Sequence, residues 1–416
     1  MRKSNDYLKK VIFKVNAKHP KVIIVGAGLS GLACALTLQK NNISYLLFEA
    51  DSRVGGRVKT DRHESGFLLD RGFQVLLNAY SELDYFVDIK SLNLKKFNSG
   101  AILFNKVKNQ ILANPFRNLS QMIPTAFADV ATLKDKSLVV KLVLKSLLHK
   151  QMQSLKGQST LVFLENYGFS QRFIQFFWKP FLGGIYLDQT LSLDVSYFLF
   201  LLRCFGLGSV TLPALGMEEL PKQMASKLDS KNVFLSNRIS HITKHSVILE
   251  NGEEIQGDYI VQAYNKDTEH QRSVSTFYFT TNEKPDWDKW LVLVPPDLNF
   301  KINHVVLLSE VSSDYAPPGK VLISATVLGD EKIDNSVIEN EIEFLAQKKL
   351  QLKHLRTDWI QTALPFLRGN EKGYLKNDHL YECGDHTSSP SIEGALKAGR
   401  LTALNIISDI NRKKTI

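Results

Sequence analysis

Residues 21–50 read KVIIVGAGLSGLACALTLQKNNISYLLFEA, and their pattern decides the fold. Val22 to Val25 is an unbroken apolar run of strand type. After a glycine turn, Leu29, Leu32, Ala33 and Leu36 recur at i, i+3, i+4 and i+7, the stripe of a helix that faces a sheet. Asn41 and Asn42 can end that helix, because Asn tolerates the left-handed conformation. ISYLLFE is then a second buried strand, so the unit is strand, helix, strand, the opening of a parallel sheet.

Within this unit Gly26-Ala27-Gly28-Leu29-Ser30-Gly31 is G-x-G-x-x-G, and Glu49 closes the second strand 23 positions after Gly26. Gly26 permits the tight turn, Gly28 lets the backbone approach a pyrophosphate, and Gly31 lets helix and sheet pack closely. The helix N-terminus adds amide donors and the positive end of its dipole. Glu49 can accept hydrogen bonds from both ribose hydroxyls of an adenosine. The alternative is a glycine turn without ligand; strand, helix and acid in register favour a dinucleotide. NAD and FAD are not separated by this unit alone.

Asp51-Ser52-Arg53-Val54-Gly55-Gly56-Arg57 follows directly, and Gly384-Asp385 lies near the other end. A Gly-Gly-Arg turn brings backbone amides and a five-donor guanidinium to a diphosphate; its bland reading is a surface turn with a solvated arginine. With VIIVGAGLSGLACAL, FEADSRVGGRV and ECGDHTSSPSIEGALKAGRLTA, in this order, the chain resembles the flavin-containing amine oxidase superfamily, which includes protoporphyrinogen oxidases and phytoene desaturases. The resemblance implies FAD. It places Gly26, Gly28 and Gly31 at the pyrophosphate with Ser30 beside them, Glu49 at the adenosine ribose, and Gly55, Gly56 and Arg57 at the flavin side of the diphosphate. Gly384 and Asp385 fall in the ribityl-phosphate region. Arg238 occupies the position whose main chain holds the adenine, where the family usually has Val. Gly72, Phe73 and Gln74 fall beside the isoalloxazine, and Ser391, Ile392 and Glu393 open a last helix. First amides aimed at the N1–C2=O2 edge would stabilise the charge of the reduced ring. No residue is assigned a catalytic role.

With 416 residues the chain has room for two or three packed units and a deep pocket. The expected class is α/β: a discontinuous Rossmann-like FAD-binding domain with an inserted α+β substrate domain. The divisions are a basic arm over 1–20, FAD-binding segments 21–85, 211–270 and 356–416, and substrate segments 86–210 and 271–355. Strand-like pieces at 101–104 and 110–112 flank a lysine-bearing turn, 120–180 reads mainly helical, and four strand-like runs between Thr276 and Leu328 suggest a second sheet. A helix is expected over 339–350.

Hydrophobic residues are 44% and charged residues 23%, a globular balance that excludes a disordered chain. Lys and Arg exceed Asp and Glu by 10, which attracts anions without naming one; no nucleic-acid-reading motif is present, so nucleic acid is not an expected partner. Three widely spaced cysteines, Cys34, Cys204 and Cys383, fit reduced thiols, and the cytoplasm is the expected compartment. No stretch reaches 18 charge-free apolar residues. His241 and His245 lack matching ligands, so no metal site is expected. His386 either touches cofactor or caps a loop.

Amine oxidases of the superfamily typically place an aromatic residue just before the Glu-Gly-Ala step, where this chain has Ser389-Pro390-Ser391-Ile392. Their active-site lysine has no match in context either; Lys301 and Lys320 are the nearest candidates. The similarity is therefore closer to the desaturase and protoporphyrinogen-oxidase branch. The expected activity is hydride transfer from a small hydrophobic, conjugated or polyene-like substrate to flavin N5, with oxygen or a quinone as electron acceptor. Amine oxidation is the alternative reaction, and a non-catalytic flavin-binding protein the alternative class. Phe173, Phe176, Phe177, Trp178 and Phe181 either line a tunnel or are core. Residues 133–150 read as a packed helix with a solvated lysine face, with peripheral contact to an anionic membrane as the alternative.

Overall fold

A computed structural model describes residues 21–104, 109–113, 129–148, 157–267, 269, 271–366 and 373–415. The arm expected over 1–20, the lysine-bearing turn after Phe104, and parts of the helical stretch (120–128 and 149–156) lie outside the described residues.

In chain order the elements that carry the site begin with β1 (Val22–Val25), α1 (Leu29–Lys40), β2 (Tyr45–Phe48), β3 (Gly100–Leu103), β4 (Gln110–Ala113), α2 (Leu133–Leu148), α3 (Lys179–Tyr186) and α4 (Val195–Leu207). Next come β5 (Val233–Phe234), β6 (Tyr259–Gln262), β7 (Gln271–Thr281), β8 (Leu291–Leu293), β9 (Ile302–Leu307), β10 (Val321–Leu328) and α5 (Asn335–Ala346). The chain finishes with β11 (Lys353–Pro365), β12 (Leu375–Asn377), β13 (Leu380–Glu382) and α6 (Ile392–Thr415).

The first sheet has the order β5-β2-β1-β6-β13-β12, parallel except at the β12–β13 edge. Its strands come from three separated parts of the chain, so the Rossmann-like unit is discontinuous. β1 is buried on both faces, which is why its sequence is continuous rather than alternating. Val22 and Ile24 join the cluster that contains Leu32, Ala33 and Leu396, whereas Ile23 and Val25 join Phe48, Val247 and Ile260 on the opposite face.

The second sheet has the order β11-β7-β10-β9-β8-β3-β4 and is antiparallel except for the parallel β8–β3 pair. The expected boundary between 355 and 356 falls inside β11, which pairs with β7 along most of its length. Residues up to Pro365 therefore belong to the second sheet, and the chain rejoins the first only at β12. Another expected boundary, between 210 and 211, falls inside the strand Val210–Pro213, which pairs with Leu76–Leu77 and Leu94–Lys96. The helix expected over 339–350 runs instead from Asn335 to Ala346: the Asp334 side chain accepts from the Ser336 amide, a cap that starts it earlier, and Gln347 in the left-handed region ends it.

The α1 turn is as tight as its glycines allow. Gly26 has φ +104°, a conformation that L side chains rarely adopt. A Cβ on Gly31 would stand 1.9 Å from the Gly26 carbonyl oxygen. Gly31→Ala is expected to cost roughly 1–3 kcal/mol through forced separation of helix and turn. Urea unfolding of the holoprotein measures this; unchanged stability would show that the helix has room to shift.

Candidate active site

One cavity of about 1490 Å³ runs from the start of α1 to the space enclosed by α2, α3 and α4. Gly26, Gly28, Ser30, Glu49, Gly55, Gly56, Arg57, Gly72, Phe73, Gln74, Arg238, Gly384, Asp385, Ser391 and Ile392 all line it. Residues of the segments 26–74 and 384–392 thus meet at one surface. Two expected residues do not line the cavity, Gly31 and Glu393.

At one end the two oxygens of Glu49 are held by backbone donors, Oε2 accepting from the Ala27 amide at 2.7 Å and Oε1 from the Asp51 amide at 2.9 Å. α1 starts at Gly28 with no side-chain cap and no acid in its first turn, so its positive end is not compensated from within. The Gly55 amide donates to the Ala27 carbonyl at 2.8 Å, locking the two glycine turns together. Gly31 serves packing rather than contact, as its approach to the Gly26 carbonyl shows. Arg238 directs its guanidinium to Glu250 at 3.4 Å, and its carbonyl accepts from the Glu250 amide at 3.0 Å.

Arg57 joins three distant segments: it donates to the Ala363 carbonyl at 2.8 Å and to Asp385 at 2.5 Å. The Gln74 amide side chain donates to the carbonyls of Arg57 and Arg71, each at 2.9 Å, so it braces the turn that it lines. Below that turn Asp61 accepts from Arg53 at 2.6 Å, Arg71 at 2.9 Å and Arg356 at 3.0 Å. Burial raises its pKa, but hydrogen bonds from Arg71 and Arg53 outweigh this and hold it at about 2. Asp70, fully enclosed, accepts from Thr60 at 2.5 Å, Tyr315 at 2.7 Å and the Met217 amide at 3.0 Å; burial still pushes its pKa up.

Glu393 opens α6 as expected of its position, but its side chain does not face the cavity. Its carboxylate turns away from the cavity and accepts from the Ser81 hydroxyl at 2.7 Å and the Glu82 amide at 2.9 Å. Glu82 in turn takes both forks of Arg400, each at 2.6 Å. The acid therefore pins the segment that carries Tyr80 into the cavity wall. Ser391 lines the cavity, yet its hydroxyl accepts from the Gly394 amide at 3.0 Å, capping the helix. His386 lines the cavity while its Nε2 meets Glu382 at 2.9 Å.

The other half of the cavity is mostly apolar, with Lys136, Asn98, Ser99 and Ser209 among its lining residues. Phe173, Phe177 and Phe181 stack at ring-centre distances of 5.0 and 5.4 Å through the π-helical turn Ile174–Trp178. With Trp178, which is 2% exposed, they are core and cavity wall at once; Phe176 packs on the core without lining the cavity. Helix α2 adds Lys136, Val139, Val140, Val143, Leu144 and Leu147 to the wall and buries Leu142; Leu133 is 81% exposed, and Leu144, although it lines the cavity, 54%. Lys301 pairs with Glu331 at 2.8 Å and Lys320 meets Asn282 at 2.7 Å; neither lines the cavity. Residues that the sequence did not mark also border the site. Asp358 accepts from the Gly72 amide at 3.2 Å, Thr276 accepts from the Phe73 amide at 3.3 Å, and His304 and Thr326 line the wall beside them. Their only sequence signal is alternation within strands, which does not single out one position. Among the described residues no group of three or more His, Cys, Asp or Glu could hold a metal ion, and no helix is long and apolar enough to cross a membrane.

The family of flavin containing amine oxidoreductases matches residues 29–407, and this chain belongs to it. Protoporphyrinogen oxidase 2 of Arabidopsis thaliana is 28% identical over 184 residues, 42% of this chain but only 34% of that protein. A possible lysine-specific histone demethylase 1 of Drosophila melanogaster is 45% identical over 60 residues, 14% of this chain and 7% of that one. A solved putrescine oxidase shares the fold with a TM-score of 0.67 at 16% identity, covering 94% of this chain and 99% of that chain. Members of the matching family are oxidoreductases that carry a flavin cofactor. The α1 terminus with no cap or acid of its own, the oriented Glu49 and the cavity that continues past Arg57 to Phe73 fit a flavin dinucleotide in chemistry.

Two outcomes are expected. Glu49→Ala should leave most of the purified protein without FAD, read from the ratio of flavin to protein absorbance; full occupancy would remove Glu49 from the site. Asp61, with its folded pKa depressed, contributes stability that is present above its ordinary value near 4 and is lost as pH falls toward 2. Asp61→Asn should lower the unfolding temperature at pH 7, and its deficit should shrink over that acid window.

Proposed function

We propose that this protein is an FAD-dependent oxidoreductase that removes hydride from a hydrophobic, conjugated or polyene-like substrate, as a dehydrogenase or desaturase, and passes the electrons to oxygen or a quinone. The observation that carries this reading is the character of the cavity's far half. Its wall is built from the phenylalanine ladder and the aliphatic residues of α2, and the carboxylates that line the cavity among the described residues, Glu49 and Asp385, lie at the other end and are engaged by backbone amides and Arg57. A substrate ammonium would have no counter-ion there, whereas an apolar chain replaces water against apolar surface. The position before Glu393-Gly394-Ala395 carries Ser391 and Ile392 rather than an aromatic cage residue.

In this reading Gly26, Gly28 and Ser30 hold the pyrophosphate at the α1 N-terminus, Glu49 the adenosine ribose, and Arg57 with Gly55 and Gly56 the flavin side of the diphosphate. Bound FAD supplies a two-electron acceptor at its ring. The chain's own contribution is to place a substrate C–H against that ring and to keep water out, which the stacked Phe173, Phe177 and Phe181 support. The FAD-binding half is formed by segments 21–85 and 214–270 with the chain beyond Gly373, and the substrate half by 86–213 and 271–365. Exposed Leu133 and Leu144 beside Lys141 and Lys145 support a peripheral contact of α2 with an anionic lipid surface, where an apolar substrate would be stored.

Anaerobic addition of candidate substrates to the holoprotein, followed at the visible flavin band, tests the reading. A detergent-solubilised polyene is expected to bleach the flavin, and primary amines, polyamines and amino acids are expected to leave it oxidised. Bleaching by an amine alone would replace this proposal with amine oxidation.

A further inference from the structure

Strands β9, β10, β7 and β11 bring four side chains into one row. His304 stands opposite Thr326, Thr326 opposite Thr276, and Thr276 opposite Asp358, so all four share a face of the second sheet. The last two hold the amides of Phe73 and Gly72. The first two have no such duty: His304 Nε2 and Thr326 Oγ1 are buried without a hydrogen-bond partner, although both residues line the cavity. His304 is 3% and Thr326 2% exposed, and an unpartnered polar atom at such a depth costs free energy that a ligand atom can recover.

The tautomer of His304 follows from its neighbours. Asn303 is the extra residue of a β-bulge, since Ile302 pairs with Val327 and His304 with Thr326, and the bulge aims both Asn303 and His304 at α3. The Asn303 amide nitrogen lies 3.0 Å from the Pro180 carbonyl, which can only accept, so that atom is the donor; it also lies 3.0 Å from His304 Nδ1. Nδ1 therefore accepts, and the ring proton resides on Nε2. Burial lowers the pKa of His304 to about 3, which keeps the ring neutral at physiological pH. The Phe73 ring stands 5.0 Å from the imidazole and borders the pair.

We propose that His304 Nε2–H and the Thr326 hydroxyl donate to one oxygen of the substrate, a carbonyl on an otherwise apolar conjugated skeleton, and so fix which carbon faces the flavin. This rests on the apolar-substrate reading and narrows it: a hydrocarbon would leave both donors unpaired, and an ammonium, itself only a donor, would gain nothing from Nε2–H. Discrimination by paired donors against an analogue that lacks the acceptor is the strong form of specificity available to a buried site.

The test uses the holoprotein with β-ionone, a conjugated ketone, and the hydrocarbon of the same skeleton without the oxygen, each titrated by perturbation of the visible flavin band. Relative to the wild type, His304→Leu and Thr326→Val are each expected to weaken ketone binding by about threefold to tenfold while leaving the hydrocarbon unchanged. His304→Gln, which restores an N–H near the Nε2 position, is expected to recover part of the loss. If the variants fail to fold, ¹⁵N-histidine NMR of the wild type gives the answer, since ketone but not hydrocarbon should shift an Nε2–H resonance. Equal ketone affinity in wild type and variants, or an unmoved resonance, overturns the assignment while leaving the apolar-substrate reading intact. If neither probe binds and amines bleach the flavin, that reading fails and this one falls with it.

Discussion

The site depends on how closely three backbones approach one another around the turn from β1 to α1. Gly31 lies so near the Gly26 carbonyl, and Gly399 of α6 so near the Ser30 carbonyl, that an added Cβ would stand at 1.9 and 2.0 Å respectively. This packing sets the start of α1 beside the last helix and draws together segments almost four hundred residues apart. Polar ties then fix what the packing has gathered. Arg57 reaches Asp385 and the Ala363 carbonyl, and Glu82 bridges Arg400 while its amide is held by Glu393. A cavity bounded by the segments 26–74 and 384–392 follows from these contacts, and so does the discontinuity of the first sheet.

Electrostatics divides the cavity. Near the glycine turns the wall offers helix amides, an oriented carboxylate and a guanidinium, groups suited to a diphosphate and a ribose. Beyond Phe73 the charged groups thin out and aromatic and aliphatic side chains take over, held in register by a π-helical turn and a stack of rings four residues apart. The Gly72–Gln74 turn stands at the border. It is supported from beneath by the Asp61 cluster with three arginines and from the second sheet by Asp358 and Thr276. The turn thus ties the glycine end of the cavity to the second sheet, alongside the contacts of Arg57 with the Ala363 carbonyl and of Arg356 with Asp61.

The β1–α1–β2 opening and its neighbouring turns are legible from local pattern. The glycine spacing, the acid that ends β2, the Gly-Gly-Arg turn and the final helix each depend on residues close in sequence, so periodicity and turn chemistry reveal them. Where a side chain has a choice of partners the same pattern is silent. Glu393 reads as a residue of the cofactor helix, but its carboxylate finds Ser81 and the Glu82 amide instead, because a buried acid goes to the nearest unsatisfied donors. The end of the second sheet was misplaced for a related reason: β11 resembles any other strand until β7 supplies its partner.

Sequence by itself determined the strand–turn–helix–strand opening, its dinucleotide chemistry, the kinship of the chain and the absence of an aromatic residue before the last helix, because these are properties of consecutive residues. Tertiary structure alone decided which face of each strand meets the cavity, that a bulge at Asn303 aims His304 toward α3, and that His304 Nε2 and Thr326 Oγ1 are left buried without hydrogen-bond partners. The physical reason is that hydrogen-bond satisfaction and burial are settled between segments distant along the chain, and no local spacing records which donors are left over once the strands have paired.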